Sequence, residues 1–172
     1  MKTVELSVAG VIFLCLLSFS HIPAFAGSEP ASPSPGRVEV TLANELRQDA
    51  EAIKKEFAEA GLSNVHIQFV RLGQPPPNIG IGPGVSAERA RAAIRLAKKY
   101  NRGVKVLLPE HLFSATFITI ASSNFDDTVD YPIDEEALRQ LEDPSLTSEQ
   151  LHELYRRLTP AGKAPAKKGR SF

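Results

Sequence analysis

From residue 37 to residue 122 the apolar side chains switch repeatedly between two spacings, and each switch marks a change of secondary structure. Arg37 to Leu42 (RVEVTL) has period two with β-branched residues, which predicts a short strand. Leu46, Ala50, Ile53 and Phe57 then recur at helical spacing, and Gly61 followed by Leu62 supplies a glycine stop with its apolar partner. Val65, Ile67 and Phe69 alternate with His66 and Gln68, a second strand. Ser86 can cap the next helix, whose inward face is Ala90, Ala93, Ile94, Ala97 and Tyr100, and Asn101-Arg102-Gly103 ends it. Val104 to Leu108 and Ala115 to Ser122 read as strands joined by a connection short enough for an antiparallel hairpin.

The order β-α-β-α-β-β predicts an α/β two-layer sandwich, a small mixed sheet of about four strands with helices packed on it. Two C-terminal helices follow. The first is capped by Asp134 and broken at Asp143-Pro144. For the second, Thr147 and Gln150 have capping-box spacing, Leu146 and Leu151 stand at the staple positions, and Pro160 closes it. Its predicted inner face is Leu151, Leu154, Tyr155 and Leu158, with His152 on the helix surface.

The ends of the chain have a different composition. Lys2, the apolar run from Val8 to Phe19 and the small-x-small triplet Ala24-Phe25-Ala26 read as a secretory signal peptide over residues 1–26, although Glu5 is unusual there. A run of 12 apolar residues falls short of the roughly 20 needed to span a bilayer, so no transmembrane span is expected in the mature chain. Residues 27–36 (GSEPASPSPG) read as a flexible Ser/Pro leader, residues 37–159 as one domain, and residues 160–172 as a disordered basic tail. The single cysteine, Cys15, leaves with the signal. That excludes disulfide frameworks, thiolate metal sites and cysteine nucleophiles from the mature protein. Residues 37–159 carry 15 basic and 18 acidic side chains, a balance of −3, which argues against nucleic acid as a partner.

Four features are candidates for function. Gly80, Gly82 and Gly84, with the helix start at Ser86, have the ingredients of an anion-binding loop. The spacing G-x-G-x-G, the run Pro75-Pro76-Pro77 and Pro83 favour a stiff connector between strand and helix. Arg91, Arg95, Lys98 and Arg102 recur every three or four residues on one helix face, a basic stripe for an envelope protein or an anionic envelope polymer. Asp126, Asp127 and Asp130 gather carboxylates that suit calcium, without EF-hand glycine or spacing. His111, next to Glu110, is the candidate general acid or base, working with a carboxylate of that acidic loop. No nucleophile-elbow, P-loop or H-E-x-x-H motif is present, and no cofactor is expected.

The segment VSAERARAA, Val85 to Ala93, resembles the L-S-x-x-R-A-x-x-V segment of OmpA-like peptidoglycan-binding domains, and the order of elements is similar to theirs. The resemblance covers this segment alone. It implies a peptidoglycan-associated domain in which Arg89 meets the acid of the ligand. The Thr-Asp pair that should share the ligand is missing after Val65 to Leu72, and Gly82 stands where an asparagine is usual. Together these features predict an exported, periplasmic or extracellular, non-catalytic binding module of the bacterial envelope. The alternatives are a peptidoglycan-associated domain and a small hydrolase or isomerase using His111.

Overall fold

A computed structural model of the chain describes residues 36–125 and 132–159. Residues 1–35 and 160–172, and residues 126–131 with Asp126, Asp127 and Asp130, lie outside the described residues, and the signal-peptide, tail and calcium readings fall there. Five strands, β1 (Val38–Leu42), β2 (Val65–Phe69), β3 (Asn78–Ile81), β4 (Val106–Leu108) and β5 (Ile118–Ile120), form one mixed sheet in the order β2-β1-β5-β3-β4. Four helices, α1 (Ala50–Glu59), α2 (Ala87–Tyr100), α3 (Glu135–Leu141) and α4 (Ser148–Leu158), pack on it, giving the α/β two-layer sandwich.

The pairing follows from which side chains each strand can bury. Val38, Val40 and Leu42 of β1 sit beside Val65, Ile67 and Phe69 of β2 in parallel register, and beside Ile118 and Ile120 of β5. Ile79 and Ile81 continue the same apolar face from β3. Ile53 and Phe57 of α1, Ala90, Ala93, Ile94 and Ala97 of α2, and Leu151, Leu154 and Tyr155 of α4 join these residues in one buried cluster. The alanines of α2 let its backbone approach the sheet closely, which is why this helix crosses its centre. On the opposite face His66 and Gln68 are exposed at the β2 edge, while Val106 and Leu108 at the β4 edge lie under Phe113 and Phe125.

The helix boundaries obey the local chemistry. Ser86 Oγ accepts from the Arg89 N–H at 3.4 Å, and Asp134 Oδ1 from the Ala137 N–H at 2.7 Å. The capping box closes in both directions, Thr147 Oγ1 accepting from Gln150 and Gln150 Oε1 from Thr147, at 3.3 and 3.0 Å. Gly61 takes φ +80° at the end of α1, so the Leu62 N–H folds back onto the Phe57 carbonyl at 2.9 Å.

Two expectations need correction. The middle of the proline-glycine stretch is not a connector: Asn78 to Ile81 form β3, an interior strand buried at all four positions, and only residues 82–86 connect it to α2. Nor do β4 and β5 form a hairpin, because β3 lies between them, parallel to β4 and antiparallel to β5. Glycine hides the strand in the sequence yet makes it possible in the fold. A Cβ at Gly80 would stand 2.4 Å from the Phe113 ring, so the segment after β4 can cross β3 only where a side chain is missing. Asn78 then fastens β3 to the end of β5, giving a side-chain N–H to the Ser122 carbonyl at 3.0 Å and accepting the Ser122 N–H at 2.8 Å.

Candidate functional site

The parallel pair β3 and β4, joined through α2, ends on one side of the sheet. Residues 82–86 follow β3 there, and Glu110 follows β4. Helix α4 lies over this end. Ser148, His152 and Arg156, four residues apart, line one side of the helix. Between that line and Pro83, Gly84, Val85 and Ser86 is an open cleft of about 380 Å³, with Glu149 also on its rim. Val85 and His152 are buried at its floor, and the remaining lining residues are exposed.

His152 is held on both sides. Its Nε2 lies 2.7 Å from the Val85 carbonyl oxygen, which can only accept, so Nε2 carries a hydrogen and donates. Nδ1 meets Glu110 Oε1, and the other carboxylate oxygen accepts from Arg156 Nη1 at 3.1 Å. The side chains of His152 and Glu110 are each only 6% exposed. One turn further along α4, the Tyr155 hydroxyl lies between the carbonyl oxygens of Ile79 and Leu108, at 3.0 and 2.8 Å. Burial pushes its phenol far above the ordinary tyrosine range. A carboxylate, an imidazole and a phenol therefore tie α4 to the ends of β3 and β4, and each polar group has a protein partner.

This arrangement changes the histidine assignment. His152 is a buried residue and not a helix-surface one, while His111 is exposed in the short 3-10 turn Glu110–Leu112. The sequence signal for His152 is faint: it stands three residues before Tyr155, at the margin of the apolar stripe of α4. Nothing in LLPEHLF distinguishes the buried Glu110 from its exposed neighbour.

The other candidates fall in different places. Gly82 and Gly84 donate their N–H groups to the carbonyls of Phe117 and Ala115, at 2.8 and 2.7 Å, and Gly80 lies within β3. Those glycines admit the segment before β5; a Cβ at Gly82 would stand 2.1 Å from the Ser114 carbonyl oxygen. Of the loop, Gly84 and Ser86 reach the cleft. Arg89 is half-buried and gives a hydrogen bond to the Gly36 carbonyl at 3.1 Å, and burial holds its guanidinium below the usual arginine range. Within the basic stripe, Arg91 Nη1 reaches the carbonyls of Asp143 and Leu146, both at 3.2 Å, and Lys98 pairs with Glu142 at 2.8 Å. These two side chains clamp the corner between α3 and α4, while Arg95 and Arg102 are exposed.

Among the described residues there is no cluster of three or more metal-ligating side chains, and no helix is long and apolar enough to cross a membrane. No family model, no curated protein and no solved structure matches the chain.

Proposed function

We propose that the protein is exported and acts outside the cytoplasm as a small non-catalytic binding module of the bacterial envelope, with the cleft between residues 83–86 and α4 as its ligand site. One observation carries this reading: both ring nitrogens of the histidine at the cleft floor are already engaged by Val85 and Glu110. A general base needs a lone pair within reach of the substrate proton, and this ring points its polar atoms at the protein. What it does provide is a fixed wall for a pre-formed cleft.

The signal-like segment over residues 1–26 supports export, and the exposed Arg95 and Arg102 give α2 a surface for an anionic envelope component. Cell fractionation with N-terminal sequencing tests the location. The expected product begins at Gly27 outside the cytoplasm; a cytoplasmic protein retaining Met1 contradicts it. Thermal denaturation against a panel of small metabolites tests the binding role, since a ligand of the folded state raises its midpoint. Chemical turnover of a stabilising compound would replace the binding reading with an enzymatic one.

A further inference from the structure

Resting on the reading of the cleft as a ligand site, we propose that it receives a small organic acid through a singly charged carboxylate held by Ser86, Ser148 and Arg156.

The serines are prepared as donors. Ser148 Oγ accepts the Ala87 N–H at 3.0 Å, and Ser86 Oγ accepts the Arg89 N–H at 3.4 Å. A hydroxyl whose oxygen is engaged in this way still has its own hydrogen to give. Two of the backbone N–H groups at the start of α2 are thus covered by serines, and both serines line the cleft. Arg156 uses Nη1 on Glu110 but keeps the rest of its five-donor fork, on a side chain 57% exposed. Ser86, Ser148 and Arg156 can all donate into the cleft, so a ligand group held by these three is an acceptor.

Charge and size narrow the class. Arg156 already faces Glu110, and Glu149 stands on the same rim, so a dianion such as a phosphate monoester meets more repulsion than one partly neutralised guanidinium offsets. A monoanionic carboxylate matches the planar guanidinium and adds half the charge of a dianion. About 380 Å³ lies at the low end for small-molecule clefts, which suits a compact acid. Pro83, exposed on the rim, supplies apolar contact for its body. The cleft lies outside the carboxyl end of β3, where the loop enters α2.

The test is an amide-resolved NMR titration of the purified protein with N-acetylglycine as the carboxylate probe and inorganic phosphate as the dianion probe. Saturable shifts are expected with N-acetylglycine, confined to residues 84–87 and 148–156, with phosphate weaker. Ser148→Ala and Arg156→Lys should each weaken binding about tenfold while leaving the spectrum away from the cleft unchanged, lysine keeping the charge beside Glu110. Tighter binding of phosphate, or unchanged affinity in both variants, overturns the carboxylate assignment. If N-acetylglycine causes no shifts, a neutral fragment library separates the two ideas. Hits that map to the cleft sink the ligand class and keep the binding module, whereas none there removes both.

Discussion

His152 and Glu110, 42 residues apart in the chain, meet as a buried pair through Nδ1 and Oε1, with the other ring nitrogen fixed on the Val85 carbonyl. Because both are withdrawn from water, truncating either leaves one polar atom of the other, Glu110 Oε1 or His152 Nδ1, buried without its partner. His152→Ala and Glu110→Ala should each cost about 1–3 kcal/mol or more. The double variant should cost less than the sum of the two, since the second truncation removes the orphan left by the first. Urea denaturation of the four proteins measures this, and strict additivity would show that the contact holds nothing.

Tyr155 makes a cleaner deletion. Tyr155→Phe keeps the ring in the core but takes away the hydrogen placed between the Ile79 and Leu108 carbonyls, and a loss of about 1–3 kcal/mol is expected with the fold retained. The phenol also sets an alkaline limit. Its folded pKa lies above the unfolded value of about 10, so the folded state holds the proton more tightly, and stability falls as pH rises past the unfolded value. Phenolate absorbance from Tyr155 should therefore appear only together with unfolding, as an alkaline titration followed by circular dichroism will report.

At the other end of the domain Glu56 joins α1 to α2, accepting from Lys99 at 2.6 Å and from the Tyr100 hydroxyl at 2.5 Å. The Lys99 hydrogen bond, with that of Tyr100, holds the Glu56 carboxyl below the usual range. A depressed folded pKa means that the contribution is complete above the unfolded carboxylate range and disappears as pH falls through the folded value. Glu56→Gln should lower the melting temperature modestly at pH 7, as expected for a solvent-screened pair. The gap should close as pH falls toward 3 in parallel melts, and a gap independent of pH would mean that the carboxylate charge is irrelevant there.

Much of the fold was legible because it rests on local rules. The alternation in RVEVTL, the helical spacing from Ala50 to Phe57, the serine before Ala87 and the Thr147/Gln150 box all fall where the structure has β1, α1, α2 and α4, while Leu46 lies in a 3-10 turn, Asn44–Asp49, ahead of α1. What stayed hidden depends on contacts distant in sequence. NIGI carries no strand signal because Gly80 within it and Gly82 just after it answer to Phe113 and the segment before β5, over 30 residues away. The hairpin expectation failed for the same reason: an unseen strand could not be placed between β4 and β5. Half of the cleft, Gly84 and Ser86, lay within a loop already singled out, but its other wall required knowing that α4 returns over the ends of β3 and β4.

The glycines test that explanation. A Cβ on Gly82 must displace the Ser114 and Ala115 backbone, whereas on Gly84 it meets Ala115 at 3.2 Å, which a small shift relieves. Gly82→Ala should cost about 1–3 kcal/mol or more, as overpacking does, and Gly84→Ala clearly less. Thermal melts of the two variants decide it. Equal tolerance of both would mean that the glycines are not there for close packing.

The central claim is that the polar groups behind the cleft hold its wall and perform no chemistry, and the state of the His152 ring tests it most directly. A long-range proton–nitrogen NMR spectrum of the imidazole should show Nε2 carrying a hydrogen, in one fixed form protected from solvent exchange, with and without ligand in the cleft. A bare Nε2, or one whose hydrogen exchanges freely and responds to ligand, would contradict the account and mark His152 as a base open to substrate.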